Sequence, residues 1–252
     1  MKNSGLYSLL FGILVATCLK AHASALVWKD DGAKVIHVIA RMHYAQKGLN
    51  HRELKRLSRE ATGEISRMWN EPHAAVLIDG VSYQLQFDVT TRTGPLILAD
   101  HVLPYTFNQS CMDNFIDFLP KTHNDDRSFY LESDRFGVFY TSDDIGASTT
   151  AAHEFGHSIG LQHNPLDERK ATVPGIMFAR GTWVKPEFQY VPSLNFWQVG
   201  GTINPVYRHV RPEDVAAVHI EKLKFTEDGV ACIGEGRLRK VPSNSVQDDG
   251  AP

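Results

Sequence analysis

The chain has 252 residues, 42% of them hydrophobic and 22% charged, with a formal net charge of −3. That balance belongs to a globular protein of one large or two small domains with ample core, and excludes a disordered or fibrous chain. The slight acidity removes the electrostatic case for nucleic acid or an anionic membrane as partner.

Lys2 followed by the apolar stretch from Leu6 to Leu19 has the form of an export signal too short for a membrane span. Small residues for cleavage occur in Ala21-His22-Ala23 and again in Ala23-Ser24-Ala25. Residues 1–23 therefore read as a signal peptide, with a mature start near Ser24 or Leu26. The protein is then secreted or periplasmic, without stable membrane insertion once the signal is removed. Lipoprotein processing at Cys18 is the alternative, with Thr17 a poor neighbour for it. In an oxidising compartment Cys111 and Cys232 remain as an even pair, expected to form a disulfide; two free thiols is the other reading.

The β-branched run 34–42 predicts a strand. Asn50 with Glu53 resembles a capping box, and Leu54, Leu57, Ala61, Ile65 and Met68 follow as one helical stripe. Trp69-Asn70-Glu71-Pro72 ends that helix. Residues 74–78 read as a strand, Asp79-Gly80 as a hairpin turn, and Tyr83, Leu85, Phe87 and Val89 as a strand with one wet face. From Gly94 to Arg127 the chain is punctuated by Pro95, Pro104 and Pro120. Asp113, Asp117, Asp125 and Asp126 could hold a structural calcium there, but no compact acidic loop supports it, and solvated loop charge is the simpler reading. Short strands follow at 129–131 and 137–140, and Ser148 or Thr149 is the expected cap of the next helix. A last helix starts at Arg211-Pro212-Glu213-Asp214 and is expected to run to about Lys224. The polar residues 241–252 read as a disordered tail. His37, His101, His123, His209 and His219 read as surface or satisfied core groups.

The chemistry concentrates in His153-Glu154-Phe155-Gly156-His157-Ser158-Ile159-Gly160-Leu161-Gln162-His163. Residues four apart share a helix face, so His153 and His157 can point two imidazoles at one metal ion. Gly160 permits a left-handed helix end, and the turn lets His163 return as third ligand. Three histidines leave a fourth zinc position open, which marks a catalytic site rather than a structural one. Glu154 rides on the same helix and suits a general base.

These eleven residues, followed by Val173-Pro174-Gly175-Ile176-Met177-Phe178, resemble the metzincin clan of zinc endopeptidases. The resemblance implies an α+β, zincin-like fold. Its parts would be a twisted, mostly parallel sheet with an edge strand at the cleft, a long active-site helix, and a C-terminal subdomain with a methionine turn and a final helix. A single catalytic domain would span 24–240, its N-terminal subdomain ending at about 163. Met177 takes the place of the methionine under the zinc, and Gly137 to Thr141 that of the cleft-edge strand. The segment after Met177 would wall the pocket beyond the cut bond, with some of Phe188, Tyr190, Phe196, Trp197 and Tyr207 there. Ala179 stands where some metzincins carry a tyrosine, and Asn164 after the third histidine leaves the subfamily open between a matrixin-like and a minimal bacterial member. Asp30 or Asp31 could cap the zinc as a latency switch, or simply be exposed.

The expected activity is that of a secreted, monomeric zinc endopeptidase with one catalytic ion, a protein or peptide substrate, zinc-activated water, and Glu154 as base. Two other functions use the same residues. One is a zinc amidase acting on cell-wall peptides; the other is a non-catalytic binding module, against which an intact Glu154 argues.

Overall fold

The structure is a computed structural model that describes residues 23–46, 48–94, 111–120, 123, 127–131 and 136–234. The expectations for residues 1–22 with Cys18, and for His101, Asp125, Asp126 and the tail 241–252, lie outside them.

The central strand, β2, runs Val35–Gln46, longer at its end than its β-branched start predicts. Ile36, Val38, Ala40, Met42 and Tyr44 are buried on one face, while His37, Arg41 and His43 line the other. One edge of β2 pairs in parallel with β4 (Val81–Thr93), whose antiparallel hairpin partner is β3 (Ala75–Ile78). Asp79 and Gly80 both have positive φ, the geometry of the expected tight turn. The other edge is shared. Its first half pairs antiparallel with β1 (Ala23–Asp30), and its second half pairs in parallel with β5 (Asp113–Leu119). Beyond β5 come β7 (Phe136–Tyr140), parallel to it, and β6 (Phe129–Leu131), antiparallel on the outside. β8 (Val230–Gly234) returns to pair with β1.

The α+β class holds, but the sheet is mixed rather than mostly parallel. Its middle, β4-β2-β5-β7, is parallel and both flanks are antiparallel, because short hairpins close them. Neither β1 nor β8 was expected. Ala25-Leu26-Val27-Trp28 is too short an apolar run to mark a strand by itself and follows directly on the stretch expected to be cleaved. Cleavage before Leu26 would remove Ala25, fully buried, and Ser24, whose carbonyl accepts from Asn114 Nδ2 at 2.8 Å. A start at Ser24 keeps both.

α1 (His51–Asn70) matches its stripe, with the Asn50 side chain accepting from Glu53 N at 2.9 Å. Its buried face packs on the sheet and ends in Trp69, which lies against Phe87 at 5.3 Å between ring centroids. Cys111 and Cys232 form the expected disulfide, Cα–Cα 5.7 Å, tying the start of β5 to β8 across 121 residues.

Three helix expectations need correction. α2 (Thr150–Ser158) is nine residues, not a long helix, because Thr149 is left-handed and Gly160 turns the chain. Neither candidate caps it in the ordinary way: Thr149 Oγ1 donates to Pro205 O at 2.7 Å, and Ser148 Oγ turns to Thr150 and to Asp143 O. α3 (Pro212–Ala216) stops well short of Lys224, since His219 is left-handed and a single tight turn at Ile220–Lys222 follows.

The reading of the aspartates between Gly94 and Arg127 as solvated loop charge fails where it can be followed. Asp113 is buried in β5 and accepts from Arg41 at 3.2 Å and from His43 at 2.8 Å. Asp117 lies on the same strand and not in a loop. Asp31 is exposed, accepts from Tyr83 and pairs with Lys29 at 3.2 Å, in keeping with the reading of an exposed N-terminal stretch. His37 is satisfied by Asp88 at 2.6 Å, as expected for a structural histidine.

Candidate metal centre

α2 is pinned to α1 before any histidine is placed. The Glu64 carboxylate accepts from Gly146 N at 2.8 Å and from Ala152 N at 2.9 Å, filling unpaired donors at the start of α2. Trp69 Nε1 donates to Ala152 O at 3.0 Å, and Phe155 packs edge-on against Trp69. The face opposite Phe155 carries His153 and His157.

The helix then ends as the glycine requires. Gly160 has φ +92°, and Leu161 N reaches back to Gly156 O at 2.9 Å, the long bond of a Schellman end. That turn delivers Leu161 O to His157 Nδ1 at 2.7 Å and carries His163 around to the other two rings. His153 Nδ1 faces Ile176 O at 2.6 Å. A carbonyl only accepts, so both Nδ1 atoms carry the proton and both Nε2 atoms present a lone pair.

Those Nε2 atoms lie 3.1 Å from Nε2 of His163, and all three ligand atoms fall within 4.8 Å of one another. Tetrahedral zinc with bonds of about 2.1 Å would set nitrogens roughly 3.4 Å apart. Burial holds all three imidazoles below their ordinary pKa, His153 well below and His157 at about 4, so they stand neutral as ligands must. Two such lone pairs meeting the Nε2 of a third neutral imidazole suit a cation, and the donor set fits zinc. Among the described residues no other group of His, Cys, Asp and Glu converges in this way.

Ile176 and Met177 sit on a turn fixed from below. Asp214 of α3 takes Ile176 N at 3.4 Å and Arg211 N at 2.9 Å, while Asn164 N donates to Met177 O at 3.1 Å. Met177 is 2% exposed and packs on α2 beneath the histidines, against Gly156. Asp214 was read only as an acid in a first helical turn; its hold on the methionine turn has no local sequence signal.

The three histidines open into a cleft of about 630 Å³. Phe129, Tyr130 and Leu131 of β6 line it, together with Ala179, Arg180 and Arg208. The cleft-edge strand is therefore β6 and not 137–141: β7 lies one strand inside, with β6 paired to its outer edge. None of the expected aromatics lines the cleft. Phe196 packs against Trp183 and meets Trp197 edge-on, Phe188 meets Tyr207 edge-on, and Tyr190 is near enough to act on the charge of Arg208.

Glu154 is 6% exposed and also faces the cleft. Burial pushes its carboxyl up to about 8, against the pull of Arg208, Arg180 and the Tyr130 backbone amide. Sequence reasoning missed both arginines. Arg180 follows Met177 by three positions, but nothing local marks Arg208.

No family model and no curated protein matches the chain. Among solved structures, archaemetzincin from Methanopyrus kandleri aligns over 76% of this chain and 97% of its own, at 11% identity and a TM-score of 0.35. A chain of a chaperone–substrate complex aligns over 73% of this chain at 11% identity and a TM-score of 0.40; this chain spans 34% of that one. Both likenesses are remote, and the site stands on its own geometry.

Proposed function

We propose that the chain is a zinc-dependent endopeptidase acting outside the cytoplasm. The observation that carries this is the trio His153, His157 and His163, two of them held by backbone carbonyls so that their Nε2 atoms meet beside Glu154 in an open cleft. These residues would hold the ion, which when bound supplies a Lewis acid for the scissile carbonyl and lowers the pKa of water.

With the ion bound, its positive charge would favour the carboxylate form of Glu154, which accepts the proton of the attacking water as the water oxygen bonds to the carbonyl carbon, then returns it to the amine as the C–N bond breaks. No residue is acylated. Among the described residues no strand pairs with the outer edge of β6, and an extended peptide would lie along it by strand addition. The disulfide suits an oxidising compartment, and among the described residues no helix is long and apolar enough to cross a membrane.

The test combines zinc analysis with digestion of casein or gelatin, using the mature protein and Glu154→Ala, each with and without chelator. One zinc in both proteins, with chelator-sensitive digestion by the unsubstituted one alone, is the expected result. Zinc in both and digestion by neither would turn the reading toward an amidase of cell-wall peptides. A folded protein that takes up no zinc would refute it.

A further inference from the structure

Arg208 is 3% exposed, yet it lines the same cleft as His153 and Glu154. Its Nε is buried with no hydrogen-bond partner among the described residues. Burial and the neighbouring Arg180 bring the guanidinium down only to about 10, so it stays charged at neutral pH. Arg180 is balanced: its Nη2 lies 3.0 Å from Asp143, which also accepts from Ser128. Glu154 is the carboxylate nearest in the cleft to share with Arg208, but no hydrogen bond joins the two, and the proposed reaction commits Glu154 to water.

A buried, unpaired guanidinium is costly to hold. Chains retain one where a ligand completes it, and a planar fork of N–H donors matches a carboxylate. The cleft that β6 lines thus presents a desolvated cation to whatever binds there, and the histidines beside it add no negative charge.

We propose that Arg208 is the specificity-determining residue of the cleft and binds a carboxylate of the substrate: an aspartate or glutamate side chain next to the scissile bond, or a free C-terminus close to it. This rests on the peptidase reading above. A permanent anion explains the geometry better than a transient oxyanion does, because Arg208 is buried in the resting site.

The test uses the zinc-loaded mature protein and peptides that differ only in Glu against Gln at positions flanking the cut, plus a second pair with a free or amidated C-terminus. The acid member of one pair is expected to show a kcat/KM about 10–100-fold higher. Arg208→Gln should reduce that preference to near parity with zinc content unchanged, and Arg208→Lys should keep part of it. The pair that shows the effect identifies the source of the carboxylate. Calorimetric binding of the same peptides to zinc-loaded Glu154→Ala reads recognition without turnover, with the same acid preference expected.

Binding that depends on the acid, with no peptide cut, would sink the peptidase reading and leave this one standing. Cleavage with no acid preference would do the reverse. An Arg208→Gln protein slowed equally on every peptide, or binding of neither member of a pair, would also overturn the proposal. If Arg208→Gln fails to fold, the preference of the unsubstituted protein and of Arg208→Lys still decides.

Discussion

Gly156 and Met177 occupy space that cannot hold one more carbon. A methyl on Gly156 would lie 2.3 Å from Met177 Sδ and 3.4 Å from Trp69 Cζ2. The position falls inside the histidine motif, one turn from Ala152, where a helix would ordinarily favour alanine by about 1 kcal/mol. Met177 is 2% exposed and has little room to yield. Overpacking should outweigh the propensity gain, so Gly156→Ala is expected to destabilise by about 1–2 kcal/mol. Zinc affinity should fall with it, because the carbonyl that orients His153 belongs to Ile176, beside Met177. In a Met177→Ala background the same substitution should cost almost nothing. Thermal melts and zinc competition on the four proteins give the cycle, and simple additivity would refute the contact.

Glu64 ties α1 to the start of α2 and to the turn before it. Its carboxylate takes Gly146 N and Ala152 N, one oxygen each, and is 3% exposed. Burial raises its pKa above the ordinary 4.5, against the pull of those amides. The folded state therefore holds the proton to higher pH than the unfolded chain does. Glu64 contributes stability that is full below 4.5 and declines as pH rises through the folded value. Glu64→Gln should flatten that decline and also leave one amide without an acceptor, at a cost of about 1–3 kcal/mol at neutral pH. Denaturant melts from pH 4 to 8 measure both, and an unchanged pH slope would refute the role.

How far the chain could be read follows from how local each feature is. The stripe of α1 and the Asp79-Gly80 turn depend on neighbours in sequence, and so does the end of α2 at Gly160; all appear as read. So do the three histidines, whose spacing is set by one helix and one turn. What failed depends on distant partners. β1 owes its place to β2 and β8, and the cleft edge passed to β6 because β7 pairs inward with β5. Arg208 and Asp214 reach the site from more than forty residues beyond His163, with no periodicity to announce them. The expected aromatic wall failed because Phe196 found Trp183 and Trp197 found Phe196 instead.

Asp214 supports the metal site at one remove, through the turn that carries Ile176 O. Asp214→Ala frees Ile176 N and Arg211 together and should loosen the carbonyl that sets the His153 tautomer. Zinc affinity is expected to fall about 10-fold, the low end for groups that orient ligands. A loss confined to stability, with zinc affinity intact, would show that the turn holds its shape without Asp214.

The disulfide guards a flank rather than the centre. β8 is paired in the sheet to β1 alone, and β1 shares one edge of β2 with β5, so Cys111–Cys232 bridges a junction of three strand ends. It closes a loop of 121 residues, for which chain entropy gives about 4–5 kcal/mol. At roughly 2–4 °C per kcal/mol for a chain of this size, replacing both cysteines with alanine should lower Tm by about 10 °C or more. The histidines lie at the other end of the sheet order, beside β6, and should bind zinc as before. Amide exchange should quicken first in β1 and β8, while α2 keeps its protection until global unfolding. A variant that melts with the parent, or that loses zinc before β8 exchanges, would place the stabilising effect of the bridge elsewhere.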